Sequence, residues 1–296
     1  MAQILAVGVA TLDIINEVVS CPEEDSEVRA QSQRVQRGGN ATNTLVVLSQ
    51  LGNSCAWGGV LVDGPDADVV LEDLSRYRIA YEHCLRLPRG RLPTSCIMLS
   101  RATGSRTIVH FRDLPEYDAG HFSRIPLQTL DWVHFEGRNV AETRLMMQRV
   151  REQAPGARVS LEVEKPRQRI EQLFSLADLL LFSAPYAASR RLAPAELLAR
   201  TRELAPCADL VCSLGERGAI GLSRHGFETA ADACPPVQVL DTLGAGDTFN
   251  AGVIDSLLRG AGLQESLQFA CALAGGKCGQ TGLHRLTIPA LDGDKA

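Results

Sequence analysis

The chain reads as an α/β protein with a mostly parallel central sheet, helices on both faces and a small β-sheet lid. Three observations predict this class. Short, largely apolar runs recur along the sequence, helical patterns stand between them, and two extended segments break the alternation without a crossover helix of their own. Strand alternating with helix builds βαβ units, and such units make a parallel sheet that is covered on both sides.

Ile4-Leu5-Ala6-Val7-Gly8-Val9 opens the chain, and Trp132–Phe135, Val159–Val163, Leu179–Phe182 and Leu210–Cys212 follow. Runs of this length and composition are expected of strands buried on both faces. Helical periodicity covers Ala141–Gln153, Pro194–Leu204, Thr248–Leu258 and Leu263–Cys278, and a further apolar helix at Leu45–Leu51 closes on Gly52. The lid is expected from the segments about 14–36 and 94–111. In the second of these, Ser95–Leu99 and Thr107–Phe111 flank the turn Ala102-Thr103-Gly104-Ser105, which is a hairpin pattern. No internal repeat, low-complexity tract or Ser/Gly linker divides residues 1–296, so one domain with an inserted lid is expected.

Composition narrows the function. With 45% hydrophobic and 22% charged residues the chain sits among ordinary globular proteins. A formal net charge of −5 offers no basic field for a nucleic-acid backbone, so no nucleic-acid partner is expected. The apolar stretch Leu176–Phe182 is interrupted by Asp178 and falls far short of the roughly 18 residues of a membrane span. Nine cysteines, an odd number with no Cys-x-x-Cys pair, argue against a zinc site and against a secreted disulfide framework. Met1–Val9 lacks a basic leader region and reads as a strand, so a cytoplasmic location is expected.

The most informative stretch is Asp241-Thr242-Leu243-Gly244-Ala245-Gly246-Asp247-Thr248-Phe249-Asn250-Ala251-Gly252. Its glycines permit close approach, and Phe249, Val253 and Leu257 recur at helical spacing, so a glycine loop opens into a helix N-terminus. Free amides and the dipole of that first turn favour a developing phosphoryl charge. Asp247, within the turn, is placed to take a proton from a hydroxyl facing that phosphate; an aspartate here is equally ordinary as a helix cap. Rival phosphate loops fail. A dinucleotide fingerprint needs glycine at Phe249, and a P-loop around Gly276-Lys277 needs glycine at Cys271 and Ser or Thr at Cys278.

Upstream, Cys212-Ser213-Leu214-Gly215-Glu216-Arg217-Gly218-Ala219 follows a strand and reads either as a nucleotide-facing turn or as a plain hairpin turn. Near the amino end, Arg37-Gly38-Gly39-Asn40-Ala41-Thr42-Asn43 precedes a helix. Asn40 and Asn43, three residues apart, present amides on one face that suit a polyol or a helix cap. Asp13 lies just past the first strand, at the carboxyl edge where ligands of open α/β sheets bind, and suits a sugar hydroxyl or solvent.

Together, Gly38–Asn43 and Asp241–Gly252 resemble the two signatures of the ribokinase (pfkB) family of carbohydrate kinases. Within it, the blocks Phe135-Glu136-Gly137-Arg138-Asn139, Glu162–Arg167 and Gly275–Gly279 resemble the ketohexokinase branch. The resemblance implies a ribokinase-like fold and transfer of the ATP γ-phosphoryl group to a ketohexose hydroxyl, the C1 hydroxyl of fructose in the first place. Kinases for ribose, tagatose or adenosine, and a catalytically silent regulator, stay open. By position it assigns Asp13, Gly39, Asn40 and Asn43 to the sugar, Asp247 to the base, and Gly244, Ala245 and Gly246 to the anion hole. It assigns Arg106 to the transferred phosphate, and Gly215, Glu216, Gly218 and Cys278 to the nucleotide. It implies Mg2+, leaves K+ open, and implies a homodimer through the lid. Ser183-Ala184-Pro185-Tyr186 stands where many members carry Asn-x-x-Glu, so the metal's partners are not named by it; Glu162 and Glu164 are the carboxylates that would act through water. Ser105 also departs from the branch, which has Asn before the matching arginine.

Overall fold

The structure, a computed structural model, describes residues 1–289. The first part of the chain forms β1 (Gln3–Val7), β2 (Thr11–Val18), β3 (Ser32–Gly38), α1 (Asn40–Gln50), β4 (Ser54–Gly58), β5 (Val60–Val62), α2 (Pro65–Arg76) and β6 (Leu85–Leu87). Next come β7 (Thr94–Ser100), β8 (Arg106–Phe111), α3 (Ala119–Phe122), β9 (Trp132–Glu136), α4 (Val140–Gln153), β10 (Arg158–Val163) and β11 (Leu179–Ser183). The remainder forms α5 (Ala184–Ser189), α6 (Pro194–Leu204), β12 (Asp209–Ser213), β13 (Ala219–Leu222), β14 (Glu228–Ala231), α7 (Ala245–Leu258) and α8 (Leu263–Cys278).

Eight strands make the larger sheet, in the order β14-β13-β12-β11-β10-β9-β1-β4. From β4 to β12 every pairing is parallel, and β13 and β14 add antiparallel strands at one edge. The apolar runs of the sequence are its inner strands. Successive residues of β9 and β11 are buried, which requires cover on both faces of the sheet. Residues Asp247–Leu257 of α7 are buried all round, because that helix packs between α1 and α8. Gly252 makes this close approach feasible, since a Cβ there would sit 2.8 Å from Ala270 Cα.

Parallel register aligns the strand ends. Glu162 pairs with Glu136, Val163 with Phe182, and Ser183 with Ser213, so these residues crowd one edge of the sheet. That carboxyl edge is where open α/β sheets receive ligands.

A second sheet, in the order β3-β2-β7-β8, stands beside this edge. The expected hairpin is its β7–β8 pair, with Thr94 opposite Phe111 and Leu99 opposite Arg106. Its strands run from Thr11 to Gly38 and from Thr94 to Phe111, wider than the expected first segment. The difference brings Asp13 into β2, opposite Gln36 and Ser95, rather than into a loop. Strands β4–β6 and helix α2 were not anticipated: Asn53 and Gly58-Gly59 interrupt the β4 run, and α2 buries only Ala67, Val70 and Leu74.

Candidate active site

A cleft of about 700 Å3 lies between the carboxyl edge of the large sheet and the inner face of the second one. It gathers residues from across the chain. Asp13, Gly39, Asn40, Asn43, Arg106, Glu162, Glu164, Gly215, Gly244, Gly246 and Asp247 all line it. Ala245, Glu216, Gly218 and Cys278 do not.

Gly244 has φ of 79°, the left-handed conformation that glycine tolerates, and it turns the chain directly into α7. Asp247 on the first turn is 7% exposed. The hydrogen bond it makes runs to another helix, where Asn43 Nδ2 donates to its Oδ2 at 2.7 Å. Burial pushes the Asp247 carboxyl up to about 7, against the hydrogen bond from Asn43, with Glu164 and Glu136 adding to the rise. A carboxylate poised near neutrality is suited to accept a proton from a hydroxyl.

The two asparagines at the start of α1 do not cap it; Gly39 holds the cap position with φ of 102°. Asn40 Nδ2 instead donates to Glu162 Oε1 at 3.1 Å and to Glu164 Oε2 at 3.2 Å. Asn250 Nδ2 donates to the same Glu162 Oε1 at 3.1 Å. The other oxygen, Glu162 Oε2, is buried without a protein partner. Burial, together with Asp247, Glu136 and Glu164, pushes the Glu162 carboxyl well above the ordinary range. Asp13 is also raised by burial, against a hydrogen bond that Thr11 Oγ1 donates at 2.7 Å. A Cβ at Gly38 would meet the Asp13 carboxylate and displace it, so glycine there leaves Asp13 its place.

The second sheet is clamped to the glycine loop. Ile15, Ile97 and Leu99 form a small core of their own, into which Leu243 of the loop packs. Arg106 Nη1 donates to Thr242 Oγ1 at 3.2 Å, and Arg34 Nη2 to Asp241 Oδ2 at 3.0 Å. Asp241, 1% exposed, accepts at Oδ1 from Leu243 N at 2.9 Å and at Oδ2 from Gly282 N at 3.0 Å. Beneath it the fully buried Lys277 donates to the Asp241 carbonyl at 2.7 Å. The loop therefore hangs from a buried acid–base pair that motif reading did not single out. Lys277 entered that reading in a failed P-loop match and within the Gly275–Gly279 block, with no role of its own, although a lysine after the apolar run Phe269–Ala274 was a usable signal.

Across the cleft, the segment between β12 and β13 closes an antiparallel hairpin in which Leu214 N donates to Gly218 O at 2.7 Å. The segment is a hairpin turn, and Leu214 and Gly215 line the cleft. Gly218 serves the backbone, since a Cβ there would collide with the Ala231 carbonyl oxygen. Glu216 is exposed, and the Cys278 carbonyl accepts from Leu240 N at 2.8 Å.

A buried carboxyl near neutrality, set in the same helix turn as amides able to hold an anion, is the pairing that phosphoryl transfer to a hydroxyl requires. Fold and site thus define a small-molecule kinase of the α/β class. The chain belongs to the pfkB family of carbohydrate kinases, whose description, "pfkB family carbohydrate kinase", matches residues 1–290. It is 42% identical to the ketohexokinase of Mus musculus over 289 residues, covering 95% of this chain and 97% of that protein. Its fold is similar to the ribokinase of Giardia lamblia, with TM-score 0.84 at 14% identity over 97% of this chain and 98% of that one. The ribokinase of Arabidopsis thaliana complexed with ribose and ATP has TM-score 0.79 at 20% identity, covering 97% and 96%. Among the described residues no helix is long and apolar enough to cross a membrane.

Proposed function

We propose that this chain transfers the γ-phosphoryl group of ATP to a primary hydroxyl of a ketohexose, the C1 hydroxyl of fructose in the first place. The observation that carries the reading is Asp247: a buried carboxyl raised to about 7 by burial and oriented by Asn43, at the first turn behind the glycine loop. The 42% identity to a ketohexokinase over nearly the whole chain supports the choice of sugar.

The sugar lies on the side of the cleft lined by Asp13, Asn40 and Asn43, whose oxygens and amides match hydroxyl donors and acceptors. Asp247 takes the hydroxyl proton as the sugar oxygen attacks the γ-phosphorus. The new O–P bond forms while the bond from that phosphorus to the bridging β,γ-oxygen breaks, and ADP leaves with the electron pair. The amides of Gly244 and Gly246 and the guanidinium of Arg106 hold the charge on the transferring group, while the Ala245 amide donates to the Thr242 carbonyl at 3.3 Å, and closure of the second sheet over the cleft keeps water away. The nucleotide runs along the Gly215 side, with the resemblance extending this to Glu216, Gly218 and Cys278.

The residues present fit Mg2+. Glu162 Oε2 is a buried, unpartnered hard oxygen, and Glu164 stands two residues along the same strand end. One or two carboxylates with substrate phosphates and water are a usual magnesium environment. The ion supplies charge neutralisation on the phosphates when bound.

The second sheet also supports a homodimer. Val35, Ile14, Cys96 and Val109 are aligned across all four strands on the face opposite Asp13, Ser95 and His110, and Val35 and Val109 are 49% and 64% exposed. An exposed apolar row ending in the open edge strand β8 suits a second copy of the chain.

The decisive test is product analysis after incubation with Mg-ATP and fructose, tagatose, ribose or adenosine. Fructose 1-phosphate as the main product supports the reading; the 6-phosphate, or preference for ribose or adenosine, overturns the assignment of sugar or hydroxyl.

A further inference from the structure

We propose that Arg37 is a positioning residue for Asp247, acting through Asn43, and that Asp73 of α2 anchors it. The inference rests on Asp247 being the base and concerns what holds and tunes it.

Arg37 is the last residue but one of β3 and is 4% exposed. Its Nε donates to Asp73 Oδ2 at 2.7 Å, and its Nη1 donates to Asn43 Oδ1 at 2.7 Å and to Thr42 Oγ1 at 3.0 Å. Thr42 Oγ1 in turn donates to the Gly38 carbonyl at 2.8 Å. Asn43 then donates from Nδ2 to Asp247 at 2.7 Å. A guanidinium has only donors and an ionised carboxylate only acceptors. The amide between them has one orientation that satisfies both; turned over, it would set its NH2 against the guanidinium and its carbonyl against the carboxylate. Arg37 thereby determines which face Asn43 shows to Asp247, although it does not line the cleft. Asp73 in turn holds Arg37 and is itself only partly buried, with Arg76 Nη1 at 3.6 Å.

The relay also carries charge. The groups that act on Asp247 are Glu136, Glu162 and Glu164 from the strand ends, which raise it, and Arg37, which lowers it. Arg37 is flanked by Asp73 and also acts on Asp13 and Tyr77. Removing the Arg37 charge therefore moves the acidic limb of the kcat–pH profile upward. Removing Asp73 leaves the arginine uncompensated and moves the limb the other way.

The experiment measures kcat and KM for sugar across pH in Arg37→Met and Asp73→Asn, and repeats Arg37→Met in an Asp247→Asn background. For Arg37→Met the expected result is a fall in kcat of about ten- to a hundredfold, of the size that misplacing a catalytic group produces. Its acidic limb should rise by about one pH unit, as expected for loss of a nearby opposite charge. Asp73→Asn should lower kcat without raising the limb. In the Asp247→Asn background Arg37→Met should have no further effect on kcat. A limb that stays in place in both single variants, or equal losses with and without the Asp247 carboxylate, overturns the proposal and leaves Arg37 a folding residue. Should Arg37→Met not fold, Asp73→Asn and Arg37→Lys carry the test: Lys keeps the charge, so the limb should hold while kcat falls. Failure of the base reading is separable, because Asp247→Asn alone would then turn over like the wild type.

Discussion

Substituting Asp241 by Asn tests how the glycine loop is held. The change keeps the shape and an acceptor for Leu243 N, but it removes the negative charge that faces two cations. Arg34 is 26% exposed and can be solvated in its place. Lys277 is fully buried with its Nζ 3.4 Å from Asp241 Oδ2, and it cannot. Removing one partner of a buried pair costs about 3–5 kcal/mol. Lys277 keeps its 2.7 Å bond to the Asp241 carbonyl, which places the cost at the lower end, about 3 kcal/mol. The lysine also has an escape. Burial already holds its ammonium below the ordinary lysine value, and without the aspartate it sheds its proton more readily. The penalty should therefore shrink as pH rises from 7 to 9. Urea unfolding of both proteins at the two pH values measures this, with kcat falling in parallel as the loop loosens. A difference under about 1 kcal/mol at pH 7, or one that does not shrink with pH, would refute the account, since ordinary surface substitutions stay within about 0.5 kcal/mol.

Other expectations follow from the same structure. Burial lowers His134 to about 4, and its Nε2 has no partner, so the unfolded chain binds a proton there that the native state refuses. That contribution is complete above about pH 6.5 and is lost as pH falls toward 4, about 3 kcal/mol in all, so a urea midpoint that falls from pH 7 to 5 in wild type should fall less in His134→Gln. Leu243→Ala empties the contact with Ile15, Ile97 and Leu99 and should raise ATP hydrolysis without sugar relative to sugar phosphorylation, measured by ADP release. Arg106→Ala should lower kcat about a hundredfold, the scale of removing one charge-stabilising donor, with sugar KM changed far less. Val35→Asp with Val109→Asp should convert a dimer to a monomer in light scattering; an unchanged mass would exclude that face as the interface.

Much of the fold was legible because its inner strands and long helices carry strong local signals. The β9 and β11 runs and the helix Pro194–Leu204 needed no tertiary information. The β4–β6 region was not legible: three-residue strands and a helix with three buried positions are held by neighbours and not by their own pattern. At the site, the glycine loop and the asparagine pair stood out because special backbone needs special residues. Arg37 and Lys277 did not, because their meaning lies in partners far along the chain: Arg37 meets Asp73, and Lys277 meets Asp241. Glu162 was named as a carboxylate acting through water, but its bonds from Asn40 and Asn250 depended on the fold. Asp13 shows the intermediate case. Its proximity to the site was readable, but its place inside the second sheet depended on strand register.

The most direct test of the central claim is turnover of Asp247→Asn beside calorimetric binding of fructose to the same protein. A general base contributes about a hundredfold to ten-thousandfold, so kcat should fall by about a thousandfold while fructose still binds. Turnover within about tenfold of wild type, outside the range of a lost general base, would contradict the assignment of Asp247 and with it the mechanism built on that residue.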